Sequence, residues 1–259
     1  MTPPTPVAVV TGGARGLGVA ITRRLAADGF AVVIGHRTSK DEAARLADDL
    51  TAVGRTAVAV AGDVADPATS TALADAAEAL GPLTVWVNNA GVSTLAPLLE
   101  TPLEDLDRQV QVNLYGTYLG LQEAARRMIS AGTPGRIVNV ASEAGLQAFP
   151  LLGAYSATKV AVVGLSQAAA LELAEHGITV NAACPGTAET DMVLAERDSE
   201  VHHRGLDHDE VRAGYLAGIP LGRFCDPDDV AALVGFLASP AASYLTGQAL
   251  CTNGGAVLH

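Results

Sequence analysis

Tyr155 and Lys159 are the residues of this chain best suited to move a proton together, since they stand four positions apart. The segment around them, YSATKVAVVGLSQAAALELA, is typical of a long helix, so both side chains emerge on one face, one turn apart. A free phenol loses its proton only near pH ~10, but a nearby ammonium favours the phenolate and lowers its pKa. The spacing predicts a tyrosine acid/base whose pKa is lowered by Lys159. Taken alone, Y-x-x-x-K also fits a chance pair of helix residues.

Ser142 closes an apolar run at 136–141 that is typical of a buried strand. Ligands of open α/β sheets bind at the carboxyl ends of strands, so a hydroxyl here can hold a substrate oxygen by a hydrogen bond. Asn139, inside the same strand, is predicted to be structural rather than catalytic.

The elements that must position these residues alternate along the chain as strand and helix. Strands are predicted at 7–10, 30–35, 56–61, 83–87, 136–141 and 178–183, separated by helical patterns. With 49% hydrophobic but only 4% aromatic residues, the core is expected to be aliphatic, as buried parallel strands require. We therefore expect an α/β fold with a doubly wound parallel sheet, Rossmann-like and three-layered (αβα), forming a single domain over residues 1–259.

The first strand runs directly into TGGARGLG, residues 11–18, and then into a helical pattern. Glycines let the backbone approach a pyrophosphate closely, and a helix N-terminus supplies unpaired N–H groups and the positive end of a dipole. Strand, glycine turn and helix in this order predict a dinucleotide-binding site, with a plain tight turn as the alternative.

The end of the second strand bears on the choice of cofactor. Dinucleotide-binding folds usually place an acidic residue for the ribose diol about 20 residues beyond the glycines, but His36 and Arg37 stand there. Arg37 and Arg15 offer guanidinium groups suited to a 2′-phosphate. This favours NADP over NAD, unless Arg37 is merely a solvated loop residue.

Polar residues also follow the third and fourth strands. Asp63 can accept a hydrogen bond from an adenine amino group, or it is a turn or helix N-cap residue, since Asp66 and Pro67 follow. The fourth strand ends in NNAG, residues 88–91. Both positions again lie at carboxyl ends of strands.

Composition and charge disfavour several classes of function. The formal net charge of −12 repels phosphate backbones, so neither nucleic acid nor an anionic membrane surface is an expected partner. No apolar run approaches the ~18 to 20 residues that span a bilayer, and the N-terminus lacks the features of a signal peptide. Three cysteines without C-x-x-C spacing fit a reducing, cytoplasmic setting. The His and Asp residues at 202–209 fit no familiar metal site, so no metal is expected.

Several motifs in the right order make the chain resemble the short-chain dehydrogenase/reductase family over nearly its whole length. These motifs are TGGARGLG at 11–18, Asp63-Val64, NNAG at 88–91, Asn113 in VNLYG, Ser142 followed by the Tyr155/Lys159 pair, and Pro185-Gly186 followed by Thr190.

The resemblance implies that Asn113, Ser142, Tyr155 and Lys159 are catalytic. In the family, the backbone carbonyl of the residue at Asn113 holds a water joined to the lysine, and this residue bends its helix. Cofactor-binding roles are implied for a second set of residues, which comprises Gly12, Arg15, Gly16, Leu17, Gly18, Arg37, Asp63, Val64, Asn89, Ala90, Gly91, Tyr155, Lys159, Pro185, Gly186, Ala188 and Thr190.

The family pattern also implies larger features. The loop after the sixth strand would receive the nicotinamide carboxamide, and residues 187–217, rich in charge and poor in apolar periodicity, would form a mobile substrate lid. The long stretch 103–129 would lie in a subunit interface. Together with the apolar stretch 155–175, it predicts a homotetramer, or at least a dimer.

The implied reaction is reversible hydride transfer between a nicotinamide cofactor and a ketone or secondary alcohol. The chain is similar to acetoin and polyol dehydrogenases, to polyketide ketoreductases and to 3-oxoacyl carrier-protein reductases. Carrier-protein enzymes usually have a basic residue where His176 stands, and a charge of −12 repels an acidic carrier protein. A small free ketone is therefore favoured, with the tethered substrates as the alternative.

Leu146, Phe149 and Leu152 are expected to line the substrate pocket or to pack as core beneath the lid. A function of another class, a non-catalytic dinucleotide-sensing regulator, would use the same fold. Such a protein has no need of a proton-transfer set, which disfavours it.

Overall fold

Seven parallel strands form one sheet at the centre of the computed structural model, which describes residues 4–258. Predictions that involve residues 1–3 or residue 259 therefore lie partly outside the described residues. The strands are β1 Val7–Val10, β2 Ala31–His36, β3 Ala57–Ala61, β4 Leu83–Asn88, β5 Arg136–Val140, β6 Thr179–Pro185 and β7 Ala249–Thr252. Their order in the sheet is β3-β2-β1-β4-β5-β6-β7, and every neighbouring pair is parallel.

Helices cover both faces of this sheet. They are α1 Leu17–Ala27, α2 Lys40–Ala52, α3 Pro67–Leu80, α4 Leu103–Gln109, α5 Gly116–Ala131, α6 Gly153–Leu173, α7 Asp191–Arg204, α8 His208–Ala217 and α9 Pro227–Ala238. Helices α1, α2 and α9 enclose one apolar core, and α3, α5 and α6 enclose the other. The predicted three-layer, doubly wound α/β fold is confirmed.

The sheet topology fixes where a ligand can bind. The strand order reverses at β1, which pairs with β2 on one side and β4 on the other. At such a switch point the connections leave in opposite directions and open a crevice at the carboxyl ends of the strands. Strands β1 and β2 are entirely buried, as expected for aliphatic strands covered on both faces.

The stretch predicted as one helix over 103–129 is interrupted. Between α4 and α5 the chain forms a π-helical segment, Val110–Tyr115, which contains Asn113. A π-helical turn adds a residue to the helical repeat and redirects the side chains that follow. This irregular segment lies where a bend was expected at Asn113, and Asn113 is fully buried within it.

The segment expected to be a lid is more regular than its sequence suggests. Residues 191–217 contain two helices, α7 and α8, and the second begins with a reciprocal capping box between Asp207 and Glu210. The buried Arg197 guanidinium lies over the Tyr215 and Phe224 rings and contacts Glu189. Ion pairs and a buried cation therefore hold α7 and α8 in place. An apolar stripe, which would appear as hydrophobic periodicity in the sequence, does not.

One helix among the described residues is long and apolar enough to cross a membrane by length and composition, Gly153–His176, with a mean hydropathy of 1.2 over its best window. The expectation that no apolar run reaches this length was too strict, because averaging tolerates scattered polar residues. This helix packs on β6 and carries Tyr155 and Lys159, so its composition is that of a core helix.

Candidate active site

A cleft of about 920 Å³ opens at the carboxyl edge of the sheet, over the switch point. Of the residues predicted to be catalytic or cofactor-binding, all except Gly18 and Asn113 line it. The sequence motifs, separated by up to 178 positions between Gly12 and Thr190, are thus brought to one place.

The glycine turn between β1 and α1 has the backbone that the sequence predicted. Gly12 and Gly16 have φ of +62° and +51°, which favours glycine at both positions. A Cβ at Gly18 would clash with the Gly12 carbonyl oxygen, so the helix can begin this close to the turn only with glycine there. The N-cap Gly16 provides no side-chain cap and the first turn of α1 has no acidic residue. Its N–H groups therefore suit the pyrophosphate of a dinucleotide.

Thr11 joins the ends of β1 and β4, a role that the sequence analysis missed. Its hydroxyl oxygen accepts hydrogen bonds from the N–H groups of Asn89 at 3.0 Å and Ala90 at 3.1 Å. The Asn89 amide donates in return to the carbonyl oxygens of Thr11 and Gly12. These bonds hold the two sides of the crevice together.

The two arginines expected near a 2′-phosphate each contact a carboxylate. Arg37 Nη1 lies 3.5 Å from Asp63 Oδ2, and both side chains are about half exposed. Arg15 Nη2 lies 2.7 Å from Asp191 Oδ2 at the start of α7. Arg37 is thus a half-exposed residue with a carboxylate beside it, and Arg15 connects the glycine turn to α7.

Asp63 lies in a turn. Its Oδ1 accepts a hydrogen bond from Ala65 N, whereas the N-cap of α3 is Asp66, which accepts from Ala68 N. This excludes the helix-cap alternative for Asp63 and leaves its Oδ2 facing Arg37.

Ser142 and Tyr155 face each other across the reaction end of the cleft. Ser142 caps a short 3₁₀ turn that follows β5, where its Oγ accepts a hydrogen bond from Ala144 N at 3.1 Å. A hydrogen bond with Ser142 lowers the pKa of Tyr155, but burial, the largest effect, and the charge of Glu196 raise it above its usual value. Tyr155 is accordingly a neutral phenol.

The lowered pKa expected for Tyr155 is not found. The Lys159 ammonium group donates a hydrogen bond to the Val140 carbonyl oxygen at 2.9 Å, and its Nζ lies 5.5 Å from the centre of the Tyr155 ring. Burial lowers the pKa of Lys159 itself to about 8. Desolvation of both groups outweighs the attraction that their spacing suggested.

Asn113 is held rigidly beside this pair. Its side chain accepts a hydrogen bond from Val92 N at 2.8 Å and donates to Val92 O at 2.9 Å and to Thr158 Oγ1 at 3.0 Å. Its backbone carbonyl accepts a hydrogen bond from Thr117 Oγ1 at 2.7 Å. A carbonyl oxygen has a second lone pair, so the expected water is compatible with this contact.

A profile of the short chain dehydrogenase family matches residues 6–201. The chain belongs to the short chain dehydrogenase family. Of the curated relatives, L-2,3-butanediol dehydrogenase of Corynebacterium glutamicum is 45% identical over 96% of this chain and 97% of its own. Diacetyl reductase [(S)-acetoin forming] of Staphylococcus epidermidis is 41% identical over 96% of this chain and 98% of its own.

Among solved structures, a single-residue variant of actinorhodin polyketide ketoreductase with NADPH superposes with a TM-score of 0.92 at 36% identity, covering 97% of each chain. These findings confirm the predicted family and enzyme class, so this short chain dehydrogenase is an oxidoreductase that acts with a nicotinamide cofactor on secondary alcohols and ketones.

Three further groups in the cleft of this short chain dehydrogenase escaped the sequence analysis, namely Glu143, Glu196 and Ser93. Burial raises the pKa of Glu143 to about 7, although a hydrogen bond with Asn253 lowers it. Its position directly after Ser142 was visible in the sequence. The burial of its side chain could not be read from the sequence, because it depends on Gly186 and Asn253, which follow β6 and β7 and lie against it.

The three apolar residues proposed for the pocket lie in two different places. Phe149 and Leu152 line the cleft, whereas Leu146 packs against a small core cluster that contains Val162 and Cys184. Among residues 4–258, no group of three or more His, Cys, Asp or Glu side chains is arranged to hold a metal ion.

Proposed function

We propose that this protein reduces a small, free ketone to a secondary alcohol, reversibly, with Asn113, Ser142, Tyr155 and Lys159 as its catalytic residues. The observation that carries this proposal is the meeting of Ser142, Tyr155 and Lys159 with the glycine turn in one cleft at the switch point. A sensor of dinucleotides would need the turn but not the proton-transfer residues, so the regulator alternative is disfavoured.

Each side chain has a role that its surroundings support. Tyr155, kept as a neutral phenol by burial, donates a proton to the oxygen of the ketone as negative charge develops there. Ser142 donates a hydrogen bond to the same oxygen and orients it. Lys159 is the charged group next to Tyr155, and it would hold the cofactor ribose. Asn113 anchors the relay through which Tyr155 regains its proton.

The residues of the cleft fit a nicotinamide dinucleotide. Gly12, Gly16 and the open N-terminus of α1 would bind its pyrophosphate, and Asp63 and Asn89 its adenosine half. The remaining predicted cofactor residues, including Pro185, Gly186 and Thr190, line the same cleft. The bound cofactor supplies the hydride in reduction and accepts it in oxidation.

NADP is proposed over NAD. His36 occupies the usual position of the acidic side chain that would repel a 2′-phosphate, and Arg37 lies beside it on the cleft wall. The Asp63 carboxylate at 3.5 Å from Arg37 reduces the positive potential there, so the preference is expected to be modest.

A free substrate is proposed over a protein-tethered one. The net charge of −12 disfavours docking of an acidic carrier protein, and the two curated relatives described above are named for small diols and diketones. Because the chain is also similar in structure to a polyketide ketoreductase, a protein-tethered substrate remains the alternative that the experiment below tests.

Residues 187–217 are proposed to act as the substrate lid, with α7 closing over the cleft that it lines. We also propose a cytoplasmic homotetramer. Among the described residues, Cys184, Cys225 and Cys251 are all free thiols, which fits a reducing compartment. Exposed apolar side chains on α5 and α6, such as Tyr118 and Val160, fit subunit interfaces. Light scattering should give about four times the 26.3 kDa chain mass; a monomer at micromolar concentration contradicts this.

The test of the proposed function is consumption of NADPH with a panel of carbonyl compounds: a diketone, a hydroxy ketone, a simple ketone, a keto sugar and a 3-oxoacyl thioester. We expect turnover with the small ketones and little with the thioester. Failure with every compound, by a protein that still binds NADPH, would favour the sensor.

A further inference from the structure

Glu196 stands apart from the other charged residues of α7. Asp198 on the same helix is largely exposed, and Glu200 is bound to the Tyr215 hydroxyl and to Arg204. Glu196 instead turns into the cleft, and burial raises its pKa. Among residues 4–258, no Lys, Arg or His side chain forms an ion pair with it. A carboxylate that is withdrawn from water without a cation is costly and calls for a functional reason.

Ser93 lines the same cleft from another segment of the chain, after the NNAG residues. Its hydroxyl is close enough to Glu196 to lower the pKa of that carboxyl group. The Ser93 Oγ is buried and lies outside hydrogen-bonding geometry with any described protein atom. Two polar groups from separate elements therefore converge in the cleft with bonding capacity unused.

The pair lies next to the reacting atoms. The charge of Glu196 acts on Tyr155 strongly enough to be among the main causes of its raised pKa. In the proposed function Tyr155 contacts the oxygen of the reacting carbonyl, so a side chain of the same cleft whose charge acts on Tyr155 is within reach of a substituent on the neighbouring carbon.

A carboxylate oxygen accepts hydrogen bonds and cannot donate them when ionised. An ionised carboxylate therefore favours a ligand that presents a hydroxyl group. It forms no hydrogen bond with a plain alkyl group, and it repels a negatively charged acid. From this geometry we propose that Glu196 and Ser93 form a subsite for a hydroxyl group on the carbon adjacent to the reacting carbon. The preferred substrates are then vicinal hydroxy ketones and diols. This proposal rests on the proposed function and narrows its substrate class.

The experiment compares two ketones that differ by one hydroxyl group, 3-hydroxy-2-butanone and 2-butanone. The ratio of their kcat/KM values is measured with NADPH for the wild type, Glu196→Gln and Glu196→Ala. We expect the wild type to prefer the hydroxy ketone and Glu196→Ala to lower the ratio by about ten- to a hundredfold, since a buried site that loses its hydrogen-bond partner loses that discrimination. Glu196→Gln, which keeps one acceptor oxygen, should fall between the two, and Ser93→Ala should lower the ratio less.

Asp198→Asn is the matched control, because it removes a carboxylate from the same helix on its exposed side. Its ratio should equal that of the wild type. Oxidation of 2,3-butanediol and 2-butanol provides the same comparison in the reverse direction, with the same expected order.

Three results would overturn the subsite. An unchanged ratio in Glu196→Ala, with both ketones still reduced, leaves the proposed function intact and removes the subsite. An equal loss for both ketones shows that Glu196 and Ser93 only fasten the lid. A wild type that reduces no ketone of the panel contradicts the proposed function and the subsite together.

Thermal unfolding of each variant checks that it is folded. If Glu196→Ala does not fold, Glu196→Gln, which preserves the shape of the side chain, takes its place in the comparison.

Discussion

The two walls of the cleft are built from different kinds of polar contact. Behind the reacting atoms, on β4 and β5, Asn88 donates to Asn139 Oδ1 at 2.8 Å and Asn139 donates to Ser166 Oγ at 2.9 Å, and all three residues are buried. On the opposite wall, two exposed ion pairs join separate segments: Arg37 with Asp63, and Arg15 of the glycine turn with Asp191 at the start of α7.

The difference shows where rigidity is needed. Breaking a buried hydrogen bond leaves an unsatisfied polar group that costs about 1–3 kcal/mol, whereas an exposed ion pair is worth about 0–1 kcal/mol. The wall that orients Tyr155 therefore stays fixed. The wall formed by Arg37, Asp63 and the contact of Arg15 with α7 has no comparable restraint, so it can rearrange at lower cost if the proposed lid moves.

The largest effect is expected on the rigid wall, at Tyr155. Tyr155→Phe removes the proton donor and leaves the ring in place, so kcat should fall by about 10²- to 10⁴-fold. NADPH affinity, measured by fluorescence titration, should stay nearly unchanged because the phenol acts on the substrate oxygen. Turnover within a few-fold of the wild type would show that another group donates the proton.

The buried network behind this wall should matter for stability. Asn139→Ala removes two buried hydrogen bonds, although Asn88 keeps its contacts with Trp86 and the Thr117 carbonyl oxygen and Ser166 keeps its bond to the Val162 carbonyl oxygen. We expect the free energy of unfolding to fall by about 1–3 kcal/mol. The matched control is Arg23→Ala, which removes an exposed ion pair with Asp49 at 2.9 Å and should cost less than about 1 kcal/mol. Denaturant unfolding of both variants makes the comparison, and equal losses would remove the distinction between the two walls.

Glu143, on the same wall, makes the stability of the folded protein depend on pH. Burial raises its pKa in the folded protein to about 7 from an ordinary 4.5. A raised carboxyl pKa means that the folded state holds its proton more tightly, so the fold loses stability as pH rises from about 4.5 to about 7 and bears the full cost above that.

Glu143→Gln should therefore unfold at a higher temperature than the wild type at about pH 8, by about 1–3 kcal/mol in free energy, and show no such advantage at about pH 4. Calorimetry at the two pH values measures this. A constant difference at both pH values would mean that packing, and not ionisation, separates the two proteins.

The sequence predicted the fold and the position of the cleft well because the elements that form them follow local rules. Aliphatic strands alternate with helices, and Gly12 and Gly16 require backbone conformations that favour glycine, so the fold and the position of the cleft could be predicted directly. The raised pKa of Tyr155 could not, because it depends on how deeply neighbouring elements bury the phenol.

The flexible wall was predicted less well for a physical reason. The helix α7 is held by charged contacts rather than by an apolar stripe, so hydrophobic periodicity gave no signal over 191–204. Arg15 and Asp191 are 176 positions apart, and no local pattern relates them. Glu196 resembled its solvated neighbours in the sequence, and only the packing of α7 over the cleft distinguishes it.

The smallest effect is expected on the flexible wall, at Arg37. This guanidinium is half exposed and shares its charge with Asp63, so its contribution to binding a 2′-phosphate is partly cancelled before the cofactor arrives. Arg37→Asp places a like charge beside the phosphate and should lower the ratio of kcat/KM for NADPH over NADH by about tenfold. Asp63→Asn should move the ratio the other way, because it frees Arg37 from its partner. Arg23→Asp changes the charge equally on the outer side of α1 and should leave the ratio unchanged. If Arg37→Asp behaves like Arg23→Asp, or if the wild type uses NADH as well as NADPH, then the exposed wall does not select the cofactor and Arg37 serves only to hold Asp63.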